Sequence, residues 1–467
     1  MLTRRLVAAL ALVALLFSML EGVTESLVAA AAPEADITSG VALMNRSSSA
    51  TASWTAHFFN TDGSEATDPS DLAPISGTLG PQKLASFAMP GWLPSGWQGS
   101  VVIESDQELS AIVNYYSPSE NTSSYVYGTV NGFDSPRTGS PLFLPFILRE
   151  RSGRNTAFGI QNAGSASAAV TIEYRDTSGA VRKTLNPTLA PGQSAVRHQY
   201  SDDSDLGGGF MGFVIATSSQ PLAGSVNDYG QNILYTYPAS AKPETNLYMP
   251  FMVRNRSNQN TAYLLLNANA SSTSVQVIYS GSTSSNPNVS VVQSRTLGPW
   301  EAWNLGQASV PGLPDGFLGS ARVVASQPVV AIVNHSYGAF SDAGRKTTYL
   351  AVGDSQVTKN AALPFVLRNR SNKQQGIIIQ NIDNVDTRVT LSFVPTSGGT
   401  AQTYTQTVGP YGFWNFGTGY AQFAGLGDGF YGTATITSDT GRIVALVNTW
   451  NDTVGPDSLG TYTGFNY

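Results

Sequence analysis

The 467-residue chain contains no cysteine and only three histidines. Without cysteine there is no disulfide, no thiolate metal ligand and no cysteine nucleophile, so stability has to come from packing and strand pairing. Charge is also scarce. Asp, Glu, Lys and Arg make up 12 % of the residues, against roughly 25 % in ordinary soluble proteins, which leaves little material for charged amphipathic helices. A basic excess is missing as well: 25 Lys and Arg stand against 31 Asp and Glu, a net charge of −6. A general nucleic-acid binder is thereby excluded, because displacing counterions from phosphates needs a basic surface. What is plentiful is Gly, Ser, Thr and Asn, with 41 % apolar residues. That mixture suits polar-faced strands and turns around buried cores.

Only the amino terminus carries a long hydrophobic run. Arg4 and Arg5 precede an apolar stretch, Leu6 to Leu20, and Ala29 to Ala32 offer small residues just before Pro33. This is the plan of a secretion signal, and cleavage after residue 32 is expected. Glu21, Thr24, Glu25 and Ser26 interrupt the run before it reaches the about 20 apolar residues that a membrane span needs. The mature chain is therefore expected to be secreted, extracellular or at the cell surface, with no membrane span left after signal removal.

The rest of the chain is a repeat. Leu313 to Asn334 (LPDGFLGSARVVASQPVVAIVN) recurs as Leu93 to Asn114, Leu206 to Asn227 and Leu426 to Asn448, each with Gly, an aromatic ring, one residue and Gly, and each ending on Val-Asn. The stretch reads as a hairpin of two strands about a tight Ser-Gln-Pro turn. The four terminal asparagines lie 113, 107 and 114 residues apart, a spacing of whole domains rather than solenoid turns. Three copies open on LPFILRERS (Leu144 to Ser152), MPFMVRNRS (Met249 to Ser257) and LPFVLRNRS (Leu363 to Ser371), where Pro is tolerated at the start of a strand. A short strand ending in Asn162, Asn267 or Asn381 follows. Then come VTIEY, VQVIY and VTLSF, whose alternation marks strands with one face in a core. The first copy has its VALMN strand, Val41 to Asn45, but nothing before it resembles the Pro-Phe opening. Either Pro33 to Gly40 substitutes for that strand or the copy has an open edge.

The expected architecture is all-β: four tandem antiparallel β-sandwiches after the signal segment 1–32, at 36–137 (first strand missing), 138–243, 244–358 and 359–467. The Ile-Gln-Asn strand end, the Val-x-Ile-x-Tyr strand, the Thr-Leu-x-Pro turn and the Gly-Phe-x-Gly to Val-Asn stretch resemble the tandem immunoglobulin-like modules of bacterial secreted and cell-surface proteins, including the cell-adhesion-related type. The resemblance covers residues from about 36 to the end. It implies a non-enzymatic structural or adhesive role, since such modules serve as spacers, adhesins and appendages.

Candidate chemistry is sparse. His57, His198 and His335 fall in different copies, without a nucleophile or ligand motif beside them, so no catalytic residue, cofactor or metal is expected. The acidic clusters Asp202, Asp203, Asp205 and Asp62, Glu65, Asp68, Asp71 lack calcium-loop spacing and read as solvated loop charge. Arg149 and Arg151, Arg254 and Arg256, and Arg368 and Arg370 are spaced two apart, which on a strand puts both on one face. They are candidates for polyanion contact, or for packing and ion pairs within the fold. Trp300 and Trp303 match Tyr411 and Trp414, and their rings are candidates for stacking on sugars; the second ring of each pair is expected in the core. Asn114, Asn227, Asn334 and Asn448 read as turn formers at strand ends. Partners are expected among other cell-surface components or polysaccharide, with self-association possible by strand addition to the first copy, as in a filament. A carbohydrate-binding protein is the further alternative.

Overall fold

The computed structural model describes residues 4–6, 37–68, 75–116, 126–132, 141–230, 233–338, 345–419, 421–451 and 458–467. The remainder of residues 1–32, with Ala29 to Ala32, lies outside these residues, as do Pro33 to Asp36 and Asp71. Among the described residues the fold is all-β, with several antiparallel sheets, one four-residue helix (Gln199–Asp202) and four short 3₁₀ turns. No helix among them is long and apolar enough to cross a membrane.

The last repeat shows the plan. Its first sheet runs Gln402–Val408, Thr387–Pro395, Phe430–Ser438, Asn360–Arg368, Phe465–Asn466, and its second runs Phe413–Gly417, Lys373–Asn381, Ile443–Asn451, Leu459–Thr463. Alternation in Thr387–Pro395 sends Val389, Leu391 and Phe393 into the core while Arg388, Thr390 and Ser392 face outward, as a half-buried strand requires. The second sheet is different. Gly376 to Asn381 and Ile443 to Thr449 are buried without alternation, so both faces of that sheet are covered, and a near-continuous apolar run is the sequence that suits such a strand.

The repeated stretch from Gly-Phe-x-Gly to Val-Asn is not a hairpin. Phe210–Ser218 pairs with Leu142–Arg149 and Ala168–Asp176 in one sheet, while Leu222–Gly230 pairs with Arg154–Asn162 and Ile233–Pro238 in another. The turn between them carries the chain across the core. In the third repeat the crossing is made by one unbroken strand, Phe317–Tyr337, which joins both sheets into a single eight-stranded one. The sequence misleads here because two apolar runs about a Pro-containing turn look the same whether their strands pair or face each other. Where the motif enters the first sheet, its second glycine has a steric job: a side chain at Gly212 would strike the Arg175 carbonyl and the Phe210 ring.

The Pro-Phe opening forms the expected first strand in three repeats, with a register shift at Leu144/Ile147, Met249/Met252 and Leu363/Val366. Proline cannot donate to the ladder, and the bulge absorbs that gap. In the first repeat, Thr38 to Gly40 do not take this place: they begin Thr38–Asn45, which pairs with Leu84–Ala88 and Leu109–Tyr116 in the second sheet. The position of the opening strand is held instead by Arg4–Leu6, opposite Ile103 to Ser105.

Contacts gather the chain into two compact units, 1–176 with 181–241, and 177–180 with 242–467. Within the first, the apolar cluster around Val41, Leu43, Ala111 and Val113 also contains Ala157, Ala223, Tyr229 and Leu234. Within the second, the cluster around Leu265, Val277 and Phe317 also contains Ile378 and Leu446. In each unit the second sheets of two repeats therefore cover each other, which accounts for their lack of alternation.

Candidate functional site

The residues that recur in every copy meet their partners inside their own repeat. Asn45, Asn162, Asn267 and Asn381 are fully buried. Each side-chain amide donates both into the loop that follows its strand and to the turn closing the next strand pair: Asn162 Nδ2 reaches the Ala166 and Leu189 carbonyls at 2.7 and 2.9 Å, and Asn381 Nδ2 those of Val385 and Gly409 at 2.6 and 3.0 Å. Their Oδ1 atoms accept the N–H two residues on, at 2.9 Å in Gly164 and 3.1 Å in Asp383. A buried amide satisfied on both ends fixes a loop that backbone pairing cannot.

Strand alternation does not set the directions of the arginine pairs. Between the two members stands Glu150, Asn255 or Asn369 with φ of 48°, 46° or 45°, and the strands end at the first arginine, so strand alternation does not carry through to the second. The first members are held by acidic side chains: Arg149 by Glu150, Arg254 by Asp315 at 2.9 Å and Arg368 by Asp428 at 2.9 Å. The second members, Arg151, Arg256 and Arg370, donate to the carbonyls of Gly209, Gly316 and Gly429, the residue just before the motif's aromatic ring. Arg370 also lies over the Tyr431 ring at 4.5 Å. The spacing of two in sequence is thus the spacing of a strand end and its turn.

Trp300 and Tyr411, with Gln82 and Gly192, occupy one backbone site. Each follows a proline and has φ between 53° and 77°, and the next N–H bonds the carbonyl three residues back, as from Glu301 to Gly298 at 3.1 Å and Gly412 to Gly409 at 2.9 Å. This is a type II turn, with proline at its first central position and a left-handed residue at its second. Trp300 is half-buried. Tyr411 has the Arg322 guanidinium 4.2 Å above its ring, a cation–π contact. Trp303 lies in the core, edge-on to Tyr263 with ring centroids 5.7 Å apart, and Trp414 is half-buried against Phe416 at 5.6 Å.

Asn114, Asn227, Asn334 and Asn448 are not at strand ends. Their strands continue to Tyr116, Gly230, Tyr337 and Asn451, and Asn114 and Asn448 accept from threonine hydroxyls across the ladder, Thr129 at 3.0 Å and Thr461 at 2.6 Å.

No three His, Asp or Glu side chains converge as a metal site among the described residues. His57 contacts Glu65 at 2.9 Å, whereas His335 is buried between Phe251 and Tyr337 with its Nε2 3.0 Å from Gln259. Burial alone lowers the His335 pKa to about 3. Asp203, read from the sequence as loop charge, is fully buried. Its carboxylate receives Arg197 at 2.5 Å, Lys183 at 2.8 Å, the Tyr174 hydroxyl at 2.7 Å and Gln199 Nε2 at 3.1 Å. Burial pushes its pKa up, but these donors outweigh it and hold the group below its ordinary 3.8. A second buried pair, Arg154 with Asp228, has the guanidinium 4.6 Å from the Tyr235 ring. Tyr174 lies 29 residues from Asp203, and Arg154 lies 74 residues from Asp228, so spacing does not reveal either network.

One repeated contact has no sequence motif of its own. The Tyr237, Tyr349 and Tyr462 hydroxyls donate to the carbonyls of Phe146, Phe251 and Phe365, the bulged residues of the opening strands. Tyr237 and Tyr349 also accept the N–H of the same phenylalanine at 3.2 and 3.3 Å. The three tyrosines stand opposite Val226, Val333 and Val447, and in the first repeat Val113 faces Val130 instead. The repeat without an opening strand is the one without the hydroxyl.

No protein family and no curated protein matches the chain. Among solved structures it is similar to that of Thermotoga maritima 1070, at 13 % identity over 24 % of this chain and 97 % of the other, with a TM-score of 0.21. A tetra-tandem repeat from the extending region of a large adhesion protein aligns over 91 % of this chain and 94 % of its own at 11 % identity, with a TM-score of 0.11.

Proposed function

We propose that the chain is a non-enzymatic, secreted structural or adhesive component of the bacterial cell surface, built from four immunoglobulin-like sandwiches. The observation that carries this reading is where the recurrent side chains spend their hydrogen bonds. The strand-end asparagines, the arginine pairs and the tyrosine hydroxyls each close on the backbone or on acidic groups of their own repeat. Such residues build a scaffold, and repetition of a scaffold gives reach and multivalency rather than a reaction. The test is location. Antibody labelling of intact producer cells, with mass spectrometry of the amino terminus of the secreted chain, is expected to find the protein outside the cytoplasm and starting at Pro33. Recovery only from the cytosol, with residues 1–32 retained, would overturn the reading.

A further inference from the structure

We propose that the chain freed of residues 1–32 forms a two-fold dimer in which the strand Gly99–Ser105 pairs antiparallel with the same strand of a second copy. The inference rests on the reading of residues 1–32 as a removed leader. In the second, third and fourth repeats the equivalent strand is central: the opening strand flanks it on one side, with partners running from Phe210 to Ala216, from Phe317 to Val329 and from Phe430 to Thr437. In the first repeat Ala52–Asn60 flanks Gly99–Ser105 on one side. On the other side the described partner is Arg4–Leu6 alone, opposite Ile103, Glu104 and Ser105. Loss of the leader takes that partner away and leaves a row of backbone donors and acceptors, the kind of edge that templates pairing with another chain.

The strand is made for the middle of a sheet. Ser100, Val101, Val102 and Ile103 are buried in the full chain, Glu104 is its one charge, and it holds no proline. Natural edges carry charges, prolines or bulges that blunt them. Val130 narrows the choice of occupant. Because it stands where the other repeats place the tyrosine hydroxyl, a bulged Pro-Phe strand would find nothing here to hold its bulge, whereas a regular strand needs no such group. From Thr38 onward every described strand already sits in a sheet of its own chain. A second copy has other sheet edges, Val181–Leu185, Val289–Leu297 and Gln402–Val408 among them, but of its described strands Gly99–Ser105 is the one that loses a flanking strand with the leader, so the matching occupant is the same strand. Antiparallel pairing with Val102 opposite itself sets Val101 against Ile103 and Ser100 against Glu104, so no like charges meet, and an isologous contact of this kind closes as a dimer rather than a filament.

The absence of cysteine makes the test clean. Light scattering of the chain beginning at Pro33 is expected to give twice the chain mass, and the full chain with its leader is expected to remain a monomer. Antiparallel partners lie about 4.5 to 5.5 Å apart at Cα, within reach of a disulfide, so Val102→Cys under mild oxidation is expected to yield a covalent dimer. Thr403→Cys, on an exposed strand of the last repeat, is the control and is expected to stay monomeric. The proposal is overturned by a monomer at high concentration, by Val102→Cys linking no faster than the control, by larger polymers in which residue 102 does not link, or by loss of the strand signal in circular dichroism when the leader is absent. A secreted chain that proves uncut at residue 32 refutes the leader reading by itself, since pairing is still read on the chain starting at Pro33.

Discussion

Single side chains in this protein carry their largest energies where a charge is buried and fully answered. Asp203 is such a case, and removing one member of a buried network leaves the others uncompensated, at a cost of about 3–5 kcal/mol. Asp203→Ala is expected to lower stability by that order in urea unfolding of the full chain, with the loss confined to the transition that includes the second repeat; a change under about 1 kcal/mol, as for an exposed ion pair, would contradict the burial argument. Because the folded carboxyl is held below 3.8, its contribution is present above the unfolded pKa and is lost as pH falls through the folded one. His335 acts earlier on the same acid limb. Its folded pKa of about 3 lies below the 6.5 of the free side chain, so the unfolded state takes up a proton first. Stability should fall by up to about 1.4 kcal/mol for each pH unit between those two values. In His335→Phe, which retains a ring against Phe251, that slope is expected to flatten, as measured by unfolding midpoints at pH 7 and pH 4; an unchanged slope would place the proton uptake elsewhere.

At the scale of elements, the tyrosine that reaches the bulged phenylalanine explains how a proline is admitted to a strand that another strand flanks. Its hydroxyl answers the two backbone groups that the bulge takes out of the ladder. Tyr349→Phe leaves both unanswered in a buried place, which costs about 1–3 kcal/mol; the same change at an exposed tyrosine, Tyr200, should be neutral in thermal unfolding. The sequence does not mark these tyrosines as partners of Pro-Phe, because nearly a hundred residues separate the two ends of the bond. Alternating strands were the legible part of the fold: Val170 to Tyr174, Val275 to Tyr279 and Val389 to Phe393 lie where their period puts them. The unalternating runs, such as Gly376 to Asn381, held a message about packing on both faces that spacing alone does not decode. Spacing misled at the arginines, since a left-handed residue between them resets the alternation. Among the candidate rings, Trp303 was legible as core. The left-handed site of Trp300 and Tyr411 was signalled only by the preceding proline and by the glycine that the second repeat uses at Gly192.

For the whole chain, the unit of folding is set by which apolar faces are left over once each sandwich has closed. A sheet covered on both sides cannot be cut free without exposing one face, and a freshly exposed apolar sheet is an aggregation surface. Ile378 and Leu446 of the last repeat belong to the cluster built around Leu265 and Phe317 of the third, and Tyr248, Val357, Ile382 and Val444 form a further apolar patch across the same pair. Polar contacts follow the same line: Arg442 bridges Asp354 at 3.0 Å and Asp383 at 2.8 Å, and the Tyr248 hydroxyl donates to Asp354 at 2.7 Å. The fragment 242–467 is therefore expected to fold cooperatively when expressed alone, with a single sharp thermal transition and dispersed amide resonances. The fragment 359–467, although it contains every strand of its own two sheets, is expected to be poorly soluble or to bind hydrophobic dye, because Ile378, Val444 and Leu446 lose their cover. A monomeric, soluble and cooperatively folded 359–467 would show instead that each sandwich is self-sufficient and that the shared clusters are incidental. The choice of boundary decides between them, since both fragments keep the same local strand sequences and differ only in whether the second face of one sheet is answered.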